Sequence, residues 1–325
     1  MKLILILTLI SIVGVYKCAS LASLKFGVLA DWGGLPIFPY KTFVELSVGR
    51  EMDYFASIFG MDAILALGDN FYFDGVKDVA DPRFKETFEL AFNYKSLHMP
   101  WLVIAGNHDH YGNVSAQIAY SALSDRWYFP HLYYMKRFLI PYSNITMELI
   151  MIDTVILCGN TDPEYPEKQP VLDSFGYERN KHWLWLEETL KTSKSNYLLV
   201  AGHYPVYSIG THGPTDCLVS NLKPLLEKYN VTVYLSGHDH NIQHIQVKNG
   251  GKVMDYVVTG SANFIDPSRK NLHKIPPNSL QFHWGDPFSL GAFTYIDATP
   301  STVNISFYLT SGKLLHSFTK EPRWT

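Results

Sequence analysis

Runs of near-continuous apolar residues recur through the chain, at Lys25–Ala30, Ala63–Leu67, Trp101–Ala105, Met147–Ile152, Tyr197–Ala201 and Val231–Leu235. Their length and lack of polar alternation predict strands covered on both faces. Apolar residues spaced three and four apart over Phe43–Phe59, Phe84–Phe92, Trp183–Leu190 and Leu218–Tyr229 predict helices lying on a sheet. Further strands are expected at Val253–Thr259, Ala292–Asp297 and Val303–Leu309, with less helix between them. The fold class is therefore α/β mixed, with two packed mixed β-sheets flanked by helices. No internal repeat, low-complexity tract or linker interrupts the pattern, so residues 21–325 are read as a single domain.

The polar residues that follow the early runs carry the chemical information. Asp31, Asp69, Asn107, Asp153, His203 and His238 all stand just beyond predicted strands, where ligands of α/β sheets gather. All but Asp153 lie in short glycine-bearing segments: Ala30-Asp31-Trp-Gly-Gly34, Gly68-Asp69-Asn-Phe-Tyr72, Gly106-Asn107-His-Asp109, Gly202-His203-Tyr-Pro205 and Gly237-His238-Asp-His-Asn241. Taken singly, each has an ordinary reading: a helix cap or Asx turn for the aspartates, a hydrogen-bonded core residue for a histidine. Together, His203, His238 and His240, the carboxylates Asp31 and Asp69 and the amide oxygen of Asn107 exceed what one tetrahedral ion uses, which points to two metals.

Composition narrows the partners. The chain has 27 Lys and Arg against 30 Asp and Glu, a net charge of −3, without the basic footprint of a nucleic-acid binder. Met1-Lys2, the apolar run Leu3–Tyr16 and the small residues after it have the three parts of a secretory signal peptide, residues 1–20, with cleavage expected between 20 and 23. The run falls short of the roughly 20 apolar residues that span a bilayer, so no stable membrane anchor is expected. Loss of Cys18 with this peptide leaves Cys158 and Cys217, whose pairing an oxidising compartment favours. The sequons at Asn113, Asn144, Asn230 and Asn304 are expected glycosylation sites in such a compartment.

The five glycine-bearing segments, in this order, resemble the metallophosphoesterase superfamily, and within it the small purple acid phosphatases of the tartrate-resistant type. Asp31-Trp32-Gly33 in place of Asp-x-His, and Tyr72 after Gly68-Asp69-Asn70, are that branch's variants. Similarity continues through His108–Ser121, His203–Pro214 and on to Trp284. The resemblance implies an αββα sandwich and a dinuclear centre, with Asp31, Asp69, Tyr72 and His240 around Fe(III). Asp69, Asn107, His203 and His238 then surround Fe(II), Zn(II) or Mn(II), and Asp69 bridges the two ions. A phenol with a pKa near 10 ligates well only as phenolate, and a hard trivalent ion keeps it in that form.

By the same resemblance His108 and His212 contact phosphate and help protonate the leaving group, and metal-activated hydroxide attacks phosphate monoesters borne on small molecules or phosphoproteins. The resemblance also implies a Cys158–Cys217 disulfide, a secreted or lysosomal monomer, and a loop over Asn160–Gly176 that represses activity until cut. Asp153 matches no family ligand and is read as a buried turn carboxylate; Asp109 is read as a partner that orients His108 or a ligand. The rival readings are a diesterase or nucleotide pyrophosphatase with another metal pair, and a secreted binding or storage protein that kept the fold without catalysis.

Overall fold

The computed structural model describes residues 23–161 and 176–324. The expected signal segment with Cys18, and most of the expected loop at 160–176, lie outside the described residues. The chain begins with β1 (Leu24–Leu29), α1 (Phe43–Phe59), β2 (Ala63–Leu67) and β3 (Trp101–Ile104). Thr42 starts α1 through a capping box, its hydroxyl accepting from the Glu45 amide at 3.1 Å while the Glu45 carboxylate accepts from the Thr42 amide at 3.0 Å. Short helices α2 (Asn107–His110) and α3 (Val114–Tyr120) lead to β4 (Trp127–Tyr128), β5 (Tyr134–Leu139) and β6 (Thr146–Met151). Then come α4 (Thr154–Cys158), α5 (Gly176–Thr192), β7 (Tyr197–Ala201), α6 (Asp216–Lys228) and β8 (Val233–Ser236). The remainder is mostly strand: β9 (Ile242–Asn249), β10 (Lys252–Thr259), β11 (Leu280–Trp284), β12 (Ala292–Ala298), β13 (Val303–Leu309) and β14 (Leu314–Lys320). The helix expected at Phe84–Phe92 is a π-helical segment over Phe84–Leu90, with Phe84 and Phe88 buried in the core.

Two seven-stranded sheets result, ordered β14-β13-β12-β1-β2-β3-β4 and β11-β9-β10-β8-β7-β6-β5. In the first, β1, β2 and β3 run parallel and β1 pairs antiparallel with β12. In the second, β6, β7, β8 and β10 run parallel. Alternation along the second sheet separates two apolar layers: Leu149, Met151, Leu199, Ala201 and Leu235 face the core between the sheets, whereas Ile150, Ile152, Leu198, Val200 and Tyr234 pack on Leu186 and Leu190 of α5 and Leu218, Leu222 and Leu226 of α6. The two-sheet sandwich flanked by helices is the fold class that the apolar runs predict.

Cys158, at the end of α4, is bonded to Cys217, in the first turn of α6, across 59 residues of chain. Closing a loop of that length lowers the entropy of the unfolded chain. Cys158→Ser is expected to destabilise the protein by about 2–4 kcal/mol, read from the midpoint of guanidinium unfolding; a midpoint equal to that of the parent protein would contradict it.

Candidate metal centre

The carboxyl ends of adjacent parallel strands deliver the polar residues to one place. Asp31, Asp69 and Asn107 follow β1, β2 and β3 of the first sheet, and His203, His238 and His240 follow β7 and β8 of the second. Asp31, Asp69 and His238 all have left-handed backbone, with φ of 57°, 50° and 70°. Three non-glycine residues in that region at one site mark strain that the surrounding structure must hold. Two glycines make the turns possible: a Cβ at Gly106 would lie 2.2 Å from Asp69 Oδ1, and one at Gly237 would lie 2.5 Å from Asp31 Oδ2.

The side chains converge as two overlapping groups. The Tyr72 hydroxyl is 3.1 Å from Asp31 Oδ1 and 3.1 Å from His240 Nε2, which itself is 3.6 Å from Asp31 Oδ1. His203 Nε2 is 3.4 Å from Asp69 Oδ2 and 3.1 Å from Asn107 Oδ1. Asp69, His203 and His238 offer ligand atoms all within 4.8 Å of one another, and all three are buried. The Nδ1 of His203 donates to the Leu67 carbonyl at 2.8 Å, so that Nε2 is the nitrogen presented inward. His238 Nε2 is buried with no hydrogen-bond partner among the described residues, an expensive state for a polar atom unless a ligand completes it.

Electrostatics agree with a site built for cations. Burial pushes the Asp31 carboxyl well above its ordinary range, with neighbouring Asp69 adding to the rise. Burial also works against ionised Asp69, yet the charges of His203 and His108 beside it prevail and hold its pKa below the usual value. His203 is pushed up to about 9 because Asp69 outweighs its burial. Burial takes His240 down to about 4, and His238 well below its ordinary value, so both present neutral nitrogen. Burial, then Asp31, pushes the Tyr72 phenol far up. Two buried carboxylates, a phenol and neutral imidazoles thus fit a pair of cations, one of high charge.

Residues 24–241 match the family model described as calcineurin-like phosphoesterase. The chain is 48% identical over 309 residues to tartrate-resistant acid phosphatase type 5 of Rattus norvegicus, covering 94% of this chain and 93% of the relative. The chain belongs to the purple acid phosphatases. It is likewise 30% identical to purple acid phosphatase 7 of Arabidopsis thaliana, over 92% of this chain and 87% of that one. In three dimensions it resembles GAP50, the anchor in the inner membrane complex of Plasmodium, with a TM-score of 0.76 at 23% identity over 93% and 90% of the two chains, a likeness of fold. This purple acid phosphatase is accordingly an acid phosphatase by enzyme class, and its family implies a dinuclear metal centre.

Around the phosphatase centre the two remaining histidines are close at hand. His108 Nε2 is 4.0 Å from Asp69 Oδ2 and its ring lies 4.7 Å from that of Tyr72. The His212 ring stacks on His238 at 4.0 Å. Of the two parts expected of Asp109, the contacts fit the orienting of proposed ligands. Its carboxylate accepts from the Gly106 amide at 2.8 Å, the Asn70 amide at 3.1 Å and Gln117 Nε2 at 2.8 Å, so it ties together the loops that carry Asp69 and Asn107. The His108 ring donates from Nδ1 to the Phe73 carbonyl at 2.7 Å. Asp153 is more than a turn residue: it caps α4 through the amides of Val155 and Ile156 and pairs with His110 at 2.7 Å.

Several supports have no local signature in the sequence. Buried Arg83 donates to the carbonyls of Gly33 and Tyr72, clamping two ligand-bearing loops. Asp239, between His238 and His240, accepts from the amides of His212 and Gly213 at 2.8 and 3.1 Å, which fixes the His212 loop. The invariably polar spacing of His238-Asp239-His240 hid it, because the middle residue of such a motif reads as solvated. Trp32 is fully buried against Phe71, Phe88, Phe92, Trp101 and Trp127, and its indole N–H donates to Asn70 Oδ1 at 3.1 Å, coupling the Asp31 and Asp69 loops.

Proposed function

We propose that this phosphatase is secreted and hydrolyses phosphate monoesters at an Fe(III)–M(II) centre, M being Fe(II), Zn(II) or Mn(II). Asp31, Asp69, Tyr72 and His240 would hold the trivalent ion and Asp69, Asn107, His203 and His238 the divalent one. The observation that carries this reading is the pair of overlapping donor groups, with the phenol of Tyr72 set against Asp31 and His240 in one of them. When bound, such a pair of ions supplies Lewis acidity towards phosphate and a nucleophile at moderate pH.

The chain's own residues do the rest. The Phe73 carbonyl accepts a hydrogen bond from His108 Nδ1 and so directs Nε2 towards Asp69 and the phosphate that would sit beside it. His212 reaches the opposite side, held by its stack on His238 and by Asp239. From these two positions imidazoles hold phosphate oxygens and pass a proton to the leaving-group oxygen as the P–O bond breaks. His108→Ala and His212→Ala are each expected to lower kcat by about 100-fold or more on para-nitrophenyl phosphate while two metals per chain are retained. Loss of metal along with activity would instead make either histidine part of the metal-holding set.

Secretion is supported by the N-terminal pattern and by the Cys158–Cys217 bond, which persists in oxidising compartments. Asn113, Asn144, Asn230 and Asn304 are all exposed, as glycan attachment requires. Among the described residues no helix is long and apolar enough to cross a membrane. Metal analysis of the native protein together with its phosphatase activity tests the whole reading; two zinc ions, no iron and full activity would overturn the iron assignment.

A further inference from the structure

A cavity of about 310 Å³ opens beside His238 and His212, and the start of α6 forms part of its wall. Thr215 occupies the N-cap position of that 13-residue helix with extended backbone, φ −93° and ψ 104°, yet its side chain caps nothing. A threonine there ordinarily accepts from an amide in the first turn. Here the residue lines the cavity at 6% exposure and its hydroxyl has no hydrogen-bond partner among the described residues. The amides of Asp216 and Cys217, the first two of the helix, likewise meet no acceptor among the described residues, and both residues line the same cavity. Such amides carry the positive end of the helix dipole.

Lys270 adds an ammonium to this wall, with no carboxylate in salt-bridge range among the described residues. A hydroxyl, two amides and an ammonium therefore converge next to the reaction site. Among the described residues Asp216 is the one acid lining the cavity; its exposure lets water screen it, whereas Thr215 is buried. The disulfide at Cys217 anchors the helix end that presents the amides.

We propose that this cavity is an oxyanion subsite that takes a carboxylate or a second phosphate carried on the leaving group of the ester. The proposal rests on the phosphatase reading above and names the substrate class: small phosphate monoesters whose leaving group is itself an acid. A volume at the low end of the roughly 300–1,000 Å³ of ligand pockets suits a leaving group of a few carbons. The reacting phosphate occupies the metal centre, and the second oxyanion accepts hydrogen bonds from the α6 amides, Thr215 and Lys270.

The experiment compares kcat/KM of the metal-loaded enzyme for glycerol 3-phosphate, 3-phosphoglycerate and glycerol 1,3-bisphosphate, which share a three-carbon leaving group. The acid-bearing esters are expected to be preferred over glycerol 3-phosphate by about tenfold, the size of one charge-assisted contact, and the larger of the two preferences identifies the oxyanion. Thr215→Val and Lys270→Ala should each collapse that ratio, and Asp216→Asn should raise it. The ratio is internal to each variant, so it does not depend on the fraction folded, and exposed Lys270 gives a second variant should Thr215→Val fail to fold. Ratios within about twofold of unity in the parent enzyme, or a preference that survives both substitutions, would overturn the subsite. Absence of turnover on all three esters by enzyme that hydrolyses para-nitrophenyl phosphate would overturn the subsite alone, and absence on para-nitrophenyl phosphate as well would overturn the phosphatase reading.

Discussion

Asp69→Asn is expected to cut turnover by about a thousandfold or more, equivalent to about 4 kcal/mol of transition-state stabilisation, and to leave the protein unable to hold its full metal complement. The carboxylate is 1% exposed and is shared: Oδ1 accepts from the His108 amide at 3.0 Å while Oδ2 faces His203 at 3.4 Å. Among the described residues no other carboxylate lies in the group formed with His203 and His238. An asparagine keeps the shape but removes the charge, and if its oxygen stays with the His108 amide, its NH2, which has no lone pair to give an ion, faces the position beside His203. The backbone at φ 50° tolerates asparagine, so the fold should survive. Metal content by atomic absorption and kcat on para-nitrophenyl phosphate decide the matter; two ions per chain with activity within tenfold of the parent would refute the bridging role.

Tyr72→Phe is expected to abolish the visible absorption of the oxidised protein while iron is still bound. In the proposed Fe(III) centre, phenolate-to-metal charge transfer needs the phenol oxygen of Tyr72, and the substitution removes only that atom. Its pKa is driven far upward by burial and by Asp31, so only a strong cation at this spot would deprotonate it. Asp31, Asp69 and His240 are unaltered by the change, so iron content should stay near the parent value and part of the activity should persist. A visible spectrum alongside iron analysis is the measurement. A variant that stays purple would move the chromophore away from Tyr72.

The strands that were legible in the sequence are those covered on both faces. Ala63–Leu67 and Tyr197–Ala201 fall where the apolar runs predict them, Met147–Ile152 is displaced by one residue, and Val303–Leu309, exposed at Asn304, also falls where expected. What escaped was strand of mixed polarity. In β9, Gln243 and His244 are buried but polar, because His244 pairs with Asp255 at 2.8 Å and Gln243 donates to Ser208 and Asn241. In β5 the exposed face carries Met135, Arg137 and Leu139 while Lys136 lies on the covered face between Tyr134 and Phe138, which weakens any apolar run. Edge strand β14 is half-exposed along its length and is tied across to the second sheet by Lys320 on Asp255 and His316 on His244. These elements are specified by long-range partners, which local periodicity does not register.

The candidate centre was more readable than its supports, for a related reason. Residues meant to face a ligand sit at strand ends beside glycines and announce themselves by type and spacing. Those that hold them, such as Arg83, Asp109 and Asp239, act through backbone carbonyls and amides of distant loops, and any polar residue in a loop looks the same from the sequence.

The placement of β1 between β2 and β12 also bears on how the protein is made. The strand that leads into Asp31 finds one neighbour within about 40 residues but the other only at Ala292–Ala298, far later in the chain. At about 5–20 residues per second, the first sheet waits tens of seconds for its missing member while the chain is synthesised. Until then β1 offers an unpaired apolar edge, a hazard that chaperones must cover. Assembly of the first sheet thus waits on β12, and a ribosome stalled before residue 292 would release a chain with every proposed metal-binding residue present but with β1, which leads into Asp31, unpaired on one side.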